Sequence, residues 1–135
     1  MSPTENGLDT MTKIFDFAVN RFGNKACLSY RKVIGTRKHL NEEGKILNKV
    51  LLEDCYTWQS YEQVSKRVEF VANGLFATGI KDKVCLYADT CPEWLITALA
   101  CFKSSITIVT LYTNLGDDAV VYGINQVEVE VLVTR

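Results

Sequence analysis

The sequence has 135 residues, of which 47% are hydrophobic and 23% charged, so it fits one globular domain and is unlike a disordered tail. Fifteen basic and 16 acidic residues give a net charge of −1, which directs the chain toward neither nucleic acid nor anionic lipid. The N-terminus lacks the pattern of a secretory signal, and no apolar segment approaches the roughly 20 residues of a membrane-spanning helix. Composition therefore predicts a globular, cytosolic chain.

The first 60 residues are predicted to form one helix followed by short strands. After a flexible lead-in over residues 1–8, Asp9 or Thr10 caps a helix that ends at Gly23. Its apolar face consists of Met11, Ile14, Phe15, Ala18, Val19 and Phe22. A strand is predicted over 26–33 and a charged loop over 35–44, whereas 46–52 is either an edge strand or one helical turn. A short strand over 56–58 can pair back on residues 26–31.

A second helix begins at a capping-box pattern, in which Ser60 and Gln63 can each satisfy a free amide of the other residue. Gly79 ends this helix. The predicted apolar face consists of Tyr61, Val64, Val68, Val71, Ala72 and Leu75. The strand segments that follow lack the alternation of apolar and polar residues that is typical of a strand with one exposed face. They are therefore expected to be buried on both faces.

Residues 83–113 predict a βαβ unit. Two nearly continuous apolar runs, 84–88 and 106–111, indicate parallel strands. The helix between them is predicted to start with Thr90 as its N-cap residue, with Pro92 in its first turn and the Glu93 side chain bonded back to Thr90. Leu95, Ala98, Leu99 and Phe102 form its predicted apolar face. A helix beginning at Asp117 and a strand over 129–134 follow. The fold class is therefore α/β, a partial doubly wound parallel sheet with flanking helices.

No residue is assigned as catalytic, cofactor-binding or metal-binding. None of the eight glycines stands in a phosphate-loop spacing. The single histidine, His39, lies in a charged segment, and the five cysteines lack a C-x-x-C pair, so they are predicted to be reduced structural thiols. The carboxylates Glu42/Glu43 and Asp117/Asp118 are adjacent in sequence, so the side chains of each pair point in different directions. They are not expected to act together on one substrate bond, as a catalytic carboxylate pair does. Cys91 lies at a helix start, where a thiol pKa is lowered, although a structural role is favoured.

Several strings occur in the order found in one enzyme family. They are Gly35-Thr36-Arg37, Leu40-Asn41-Glu42-Glu43, Gly44-Lys45-Ile46, Tyr56-Thr57-Trp58-Gln59-Ser60-Tyr61, Gly74-Leu75, Ala88 to Trp94, Ala100-Cys101-Phe102 and Val109 to Gly116. Together they resemble the N-terminal region of long-chain fatty-acid–CoA ligases of the adenylate-forming, AMP-binding superfamily. Cys91-Pro92 and Ser104-Ser105-Ile106 depart from the family pattern, which leaves the subtype and the acyl preference open.

The resemblance implies a parent enzyme that converts a fatty acid, ATP and CoA to acyl-CoA, AMP and diphosphate through an acyl-adenylate, with Mg²⁺ as the metal. Residues 9–135 would be an incomplete N-terminal portion of its AMP-binding domain, inactive alone and partnered by the remainder of the ligase chain. The family implies the cytosolic side of the endoplasmic reticulum or the mitochondrial outer membrane for the parent. The alternatives are a free-standing, non-enzymatic α/β scaffold or regulatory partner of the same fold, and an unrelated nucleotide-binding domain, which would need a phosphate loop.

Overall fold

The computed structural model describes residues 7–80 and 82–134. The elements in chain order are α1 (Met11–Phe22), β1 (Ala26–Tyr30), β2 (Val33–Leu40), β3 (Ile46–Leu52), β4 (Thr57–Ser60), α2 (Tyr61–Ala77), β5 (Lys83–Tyr87), α3 (Pro92–Lys103), β6 (Thr107–Thr110), α4 (Asp117–Val127) and β7 (Val131–Thr134). The predicted lead-in over residues 1–8 lies largely outside the described residues.

The C-terminal half forms a three-stranded parallel sheet in the order β6-β5-β7. The chain leaves β5 toward β6 and returns across β5 to β7. Because parallel crossovers are right-handed, this reversal places α3 and α4 on opposite faces of the sheet. The prediction of a doubly wound parallel sheet with flanking helices is confirmed.

The hydrophobic core lies on one face of that sheet. Val84 and Leu86 point from β5 into a cluster shared with α2, α3 and Ile106. The buried members of α2 are Val64, Val68, Ala72 and Leu75, all of which were predicted to face the core. Two helices and a sheet therefore enclose one continuous apolar volume, as expected for a chain of this size.

The face predicted for α3 is partly wrong. Leu95 and Phe102 are 39% and 40% exposed, whereas the six residues from Ile96 to Cys101 are all buried. The helix packs against α1, α2, β1 and β6 at once. A helix covered on several sides loses the single apolar stripe from which its orientation was predicted.

The predicted start of α3 is displaced by one residue. Cys91, not Thr90, is the N-cap residue, and no side chain there bonds to a free amide. Pro92 does lie in the first turn, as predicted, and Glu93 forms an ion pair with Arg67 of α2. The capping box at α2 is confirmed, because Ser60 accepts from Gln63 N at 3.2 Å and its own N–H donates to Gln63 Oε1 at 2.8 Å.

Residues 35–44 were predicted as a loop, and this prediction is wrong. They belong mostly to β2, which pairs antiparallel with β3 in a hairpin whose turn is organised by Asn41. Turn-forming and charged residues favoured a loop, but cross-strand pairing with the aliphatic β3 overrides that local preference. The predicted strand 26–33 is also divided, with β1 ending at Tyr30 and β2 beginning at Val33. The predicted pairing of β1 with β4 is confirmed.

Candidate functional site

An open cleft of about 980 Å³ lies at the carboxyl ends of β5 and β7. Its walls come from the end of β1, the base of the β2–β3 hairpin, residues 88–91, the first turns of α3 and the last two residues of β7. In an open parallel sheet, the crossovers on either side of β5 diverge at this edge and leave a crevice where ligands bind. The topology therefore makes this cleft the candidate site.

One rim of the cleft is fixed by hydrogen bonds around Thr113, one of which is accepted by Asp89, the second residue after β5. The Thr113 hydroxyl donates to the Asp89 carboxylate, and the Tyr87 hydroxyl donates to the Thr113 carbonyl at 3.5 Å. These contacts join the end of β5 to the segment that follows β6. Asp89 thus serves to position this segment, with one carboxylate oxygen already engaged.

The opposite side carries Arg31, the cleft's one basic side chain among the described lining residues. Its guanidinium donates to the carbonyl oxygens of Glu53 and Leu52, lies 3.8 Å from Asp54, and stands 5.7 Å from the centre of the Tyr56 ring. Arg31 therefore holds the base of the hairpin against the end of β1. With two carboxylates in the lining against this one engaged cation, the cleft does not by itself suit a polyphosphate.

The start of α3 is held against α2 by a second guanidinium. Arg67 donates to Gln59 Oε1 at 2.7 Å and to Glu93 Oε1 at 2.9 Å. Thr97 donates back to the Glu93 carbonyl at 2.8 Å. These bonds fix the orientation of the first turn of α3, whose residues Pro92 to Leu95 line the cleft.

Burial makes three of the five thiols poor nucleophiles. Desolvation raises the pKa of Cys27, Cys85 and Cys101 above the ordinary thiol value, because the charged thiolate is disfavoured away from water. All five cysteines are free, and Cys55 is exposed.

The polar residues that the sequence offered as candidates do not assemble into one centre. His39, Glu42 and Glu43 are exposed on the hairpin and its turn, and Asp117 and Asp118 are exposed at the start of α4. Within residues 7–80 and 82–134, no group of three or more His, Cys, Asp or Glu side chains could hold a metal ion.

Arg31 and Asp89, which line the cleft, and Thr113, which donates to Asp89, were not predicted as site residues from the sequence. Their positions in the chain are 82 residues apart at the extremes, and only the sheet topology brings them to one edge. A usable signal existed for Asp89, since a polar residue directly after a buried parallel strand lies at the edge where sites form. No helix in the described part of the chain is long and apolar enough to cross a bilayer.

Comparison with known proteins identifies the sequence family. The profile of the AMP-binding enzyme family matches residues 39–135. Long chain acyl-CoA synthetase 8 of Arabidopsis thaliana is 34% identical over 129 residues, which cover 94% of this chain and 18% of that protein. Long-chain-fatty-acid–CoA ligase 6 of Mus musculus is 32% identical over 124 residues, covering 89% and 15%. The chain thus spans less than a fifth of the length of these relatives.

Solved structures agree on the fold. The adenylation domain of a carboxylate reductase from Mycobacterium chelonae superposes with a TM-score of 0.73 at 19% identity, covering 93% of this chain and 19% of that chain. The N-terminal subdomain of Klebsiella oxytoca NpsA superposes with a TM-score of 0.67 at 16% identity, covering 93% and 27%. The resemblance to long-chain ligases seen in the sequence is confirmed, and the fold is that of adenylation domains.

Proposed function

This chain belongs to the family of AMP-binding enzymes, and from that premise we propose that it is the N-terminal portion of a long-chain fatty-acid–CoA ligase. The parent enzyme would convert a fatty acid, ATP and CoA to acyl-CoA, AMP and diphosphate through an acyl-adenylate. The observation that carries the proposal is the similarity to curated long-chain ligases over about nine tenths of this chain. In the parent, residues 9–135 form an incomplete part of the AMP-binding domain.

We further propose that the described residues alone do not catalyse this reaction. The cleft offers a surface at the carboxyl ends of β5 and β7, but its one cation is engaged and its lining contains two carboxylates. ATP, Mg²⁺ and CoA would be bound by the parent enzyme with residues outside this chain. The remainder of the ligase chain is the partner that would complete the cleft.

The role proposed for the described residues is to orient one wall of the substrate crevice. Asp89 and Thr113 fix the segment after β6, and Arg67 fixes the first turn of α3. Both groups act through hydrogen bonds within the chain, so they are positioning residues. For the parent, the proposed location is the cytosolic side of the endoplasmic reticulum or the mitochondrial outer membrane.

The decisive experiment reads the native transcript past the codon for Arg135 and assays the encoded protein. ATP- and CoA-dependent formation of acyl-CoA from a long-chain fatty acid is expected from the complete frame, and none from the 135-residue chain alone. A complete frame that forms no acyl-CoA from any long-chain acid would contradict the proposal. A stop codon directly after Arg135 would favour the alternative, a non-enzymatic scaffold of the same fold.

A further inference from the structure

The β2–β3 hairpin, residues 33–52, has few contacts with the rest of the described chain. It forms its own two-stranded sheet, and neither strand packs extensively on another helix or strand of that part of the chain. Two-stranded hairpins are marginally stable in water unless a further strand or a helix packs against them. Additional structure is therefore expected to cover part of this hairpin.

The two faces of the hairpin differ in charge. Successive residues of a strand point to opposite faces, so the register of β2 and β3 assigns each opposed pair to one face. One face, the aliphatic face, consists of the pairs Leu40–Ile46, Lys38–Asn48 and Thr36–Val50. The other, the cationic face, consists of the pairs His39–Leu47, Arg37–Lys49 and Gly35–Leu51.

The aliphatic face is the one that gains from being covered. Leu40 and Ile46 are 64% and 66% exposed, and Val50 is 50% exposed, so most of its aliphatic surface is in water. Its one charged residue, Lys38, has a flexible stem that lets the ammonium group reach solvent at the rim of a packed surface. Removal of apolar surface from water is the dominant favourable term in packing.

The cationic face is better left in water. Arg37 stands directly opposite Lys49, and within residues 7–80 and 82–134 no carboxylate lies within ion-pair distance of either. Burying two unpaired cations costs far more than covering Leu47 and Leu51 on the same face returns. Antiparallel sheets commonly pack one face on a core and leave the other solvated, and the two faces of this hairpin fit that arrangement.

The size of the aliphatic face favours an occupant that belongs to the same chain. β2 has eight residues, so one face of the ribbon is about 26 Å long and about 10 Å wide, on the order of 260 Å². A stable interface between two separate proteins buries about 800 Å² on each side. A separate molecule would gain too little on this face to offset its lost translational and rotational freedom, whereas a covalently connected segment does not lose that freedom.

The chain leaves β7 beside the base of this hairpin. Val33 and Leu52, the paired residues at the base, line the same cleft as Val133 and Thr134 of β7. Residues that follow β7 therefore start at the cleft from which the hairpin extends. The chain spans less than a fifth of the length of the long-chain ligases that it matches, so the parent has ample further chain to reach the hairpin.

We propose that the aliphatic face of the β2–β3 hairpin is a docking surface for the part of the parent chain that follows Arg135, and that the cationic face stays in water. This rests on the proposed function only in that the parent chain continues beyond this sequence, and it does not require ligase activity. The hairpin base forms one wall of the cleft, and Arg31 holds that base against the end of β1. Docking on the hairpin would therefore hold the later chain beside the cleft.

The test places one thiol on each face at adjacent positions. Ile46→Cys reports on the aliphatic face and Leu47→Cys on the cationic face, in the complete parent and in the 135-residue chain, with Cys55→Ser throughout to remove the exposed native thiol. A thiol reagent should label Ile46→Cys at least about tenfold more slowly in the parent than in the 135-residue chain, because a covered thiol reacts only when its cover opens. Leu47→Cys should label at similar rates in both. Mass spectrometry of the labelled peptides identifies the position.

A second pair of variants measures stability. Leu40→Ser/Ile46→Ser should lower the Tm of the complete parent by about 5 °C or more, since it sets two hydroxyl groups against the docked chain, and should change that of the 135-residue chain little. The matched control is His39→Ser/Leu47→Ser, the neighbouring opposed pair on the cationic face, which should leave both proteins nearly unchanged. Circular dichroism verifies that each variant is folded.

The proposal is overturned if Ile46→Cys is labelled equally fast in the parent and in the 135-residue chain, or if both positions are protected alike in the parent. Protection that appears in the 135-residue chain as its concentration rises would indicate a second copy, and protection of the parent only when vesicles are added would indicate a lipid surface; either result overturns it. A parent that protects Ile46→Cys and forms no acyl-CoA would support the docking surface and contradict the proposed function. A stop codon directly after Arg135 would overturn both.

Discussion

The α3–β5 core and the β2–β3 hairpin contain similar aliphatic residues and use them in opposite ways. Ile96 in α3 is 1% exposed and Val84 in β5 is fully buried, whereas Ile46 and Val50 in the hairpin are 66% and 50% exposed. The core residues lie between two layers of structure, and the hairpin residues have only each other. Apolar composition therefore does not decide burial. The number of elements that the topology brings against a segment decides it.

The two regions also differ in how their charges are used. Around the core, Arg67 and Lys103 each have a carboxylate partner, at 2.9 and 3.1 Å, that ties one helix to another. On the hairpin, Arg37 and Lys49 face each other without such a partner in the described part of the chain. Charges in the first region link two helices across the surface of the core, and Arg37 and Lys49 in the second region have no ion-pair partner among the described residues.

The largest expected effect comes from truncating the same residue type in both regions. Ile96→Ala should lower the free energy of unfolding by about 2 to 5 kcal/mol, because it leaves a cavity between α3 and its neighbours. Ile46→Ala should change it by less than about 0.5 kcal/mol, since that side chain is mostly in water already. Urea unfolding followed by circular dichroism measures both. Equal losses would show that the hairpin is packed as firmly as the core.

A smaller effect is expected at the helix starts that enter the core. Ser60→Ala removes the acceptor for Gln63 N and should cost about 1 kcal/mol. Thr90→Ala should cost almost nothing, because Cys91 is the N-cap residue of α3 and Thr90 lies outside the helix. Thermal unfolding of the two variants compares them directly. A loss at Thr90 equal to that at Ser60 would restore the capping box predicted there from the sequence.

These two helix starts show what the sequence could and could not predict. Ser60 and Gln63 stand three residues apart and satisfy each other locally, so the pattern was sufficient to predict the cap. Thr90 and Glu93 have the same spacing, but Glu93 lies beside Arg67 of α2, and that tertiary ion pair is invisible in a local pattern. The hairpin was missed for a related reason, since pairing with β3 overrides the turn-like composition of residues 35–44.

The sheet was predictable and the cleft was not. Two continuous apolar runs flanking a helix indicate parallel strands, because a strand buried on both faces needs apolar residues at nearly every position. The cleft depends on Arg31 and Asp89, which lie at the ends of different strands and carry no local pattern that joins them. Their proximity follows from strand order, and strand order is set by how the whole chain packs.

Substitution of Gly74 and Gly123 by alanine compares an open helix surface, on α2, with a helix surface that contacts Leu111, on α4. In Gly74→Ala the added methyl group on α2 meets nothing within 4 Å, so the variant should gain about 0.5 to 1 kcal/mol from the better helix propensity of alanine. In Gly123→Ala the methyl group on α4 would lie 2.9 Å from Leu111 Cδ2, and that side chain must move. The gain at position 123 should therefore be smaller or absent in denaturant unfolding. Equal gains at both positions would mean that Leu111 moves without cost.

The smallest effect on stability at neutral pH concerns the buried thiols of the core. Burial raises the pKa of Cys85 and Cys101 in the folded chain, so the unfolded chain loses these protons first as the pH increases. Their contribution is fully present below the unfolded thiol pKa of about 8.5 and is lost as the pH rises through the folded values. Unfolding free energy should consequently fall across this alkaline range in the wild type and fall less in Cys85→Ala/Cys101→Ala.

A thiol reagent should modify the exposed Cys55, beside the hairpin, well before either core thiol. Equal labelling rates at all three positions would show that the core opens as readily as the hairpin region. The two regions would then differ in packing but not in local stability.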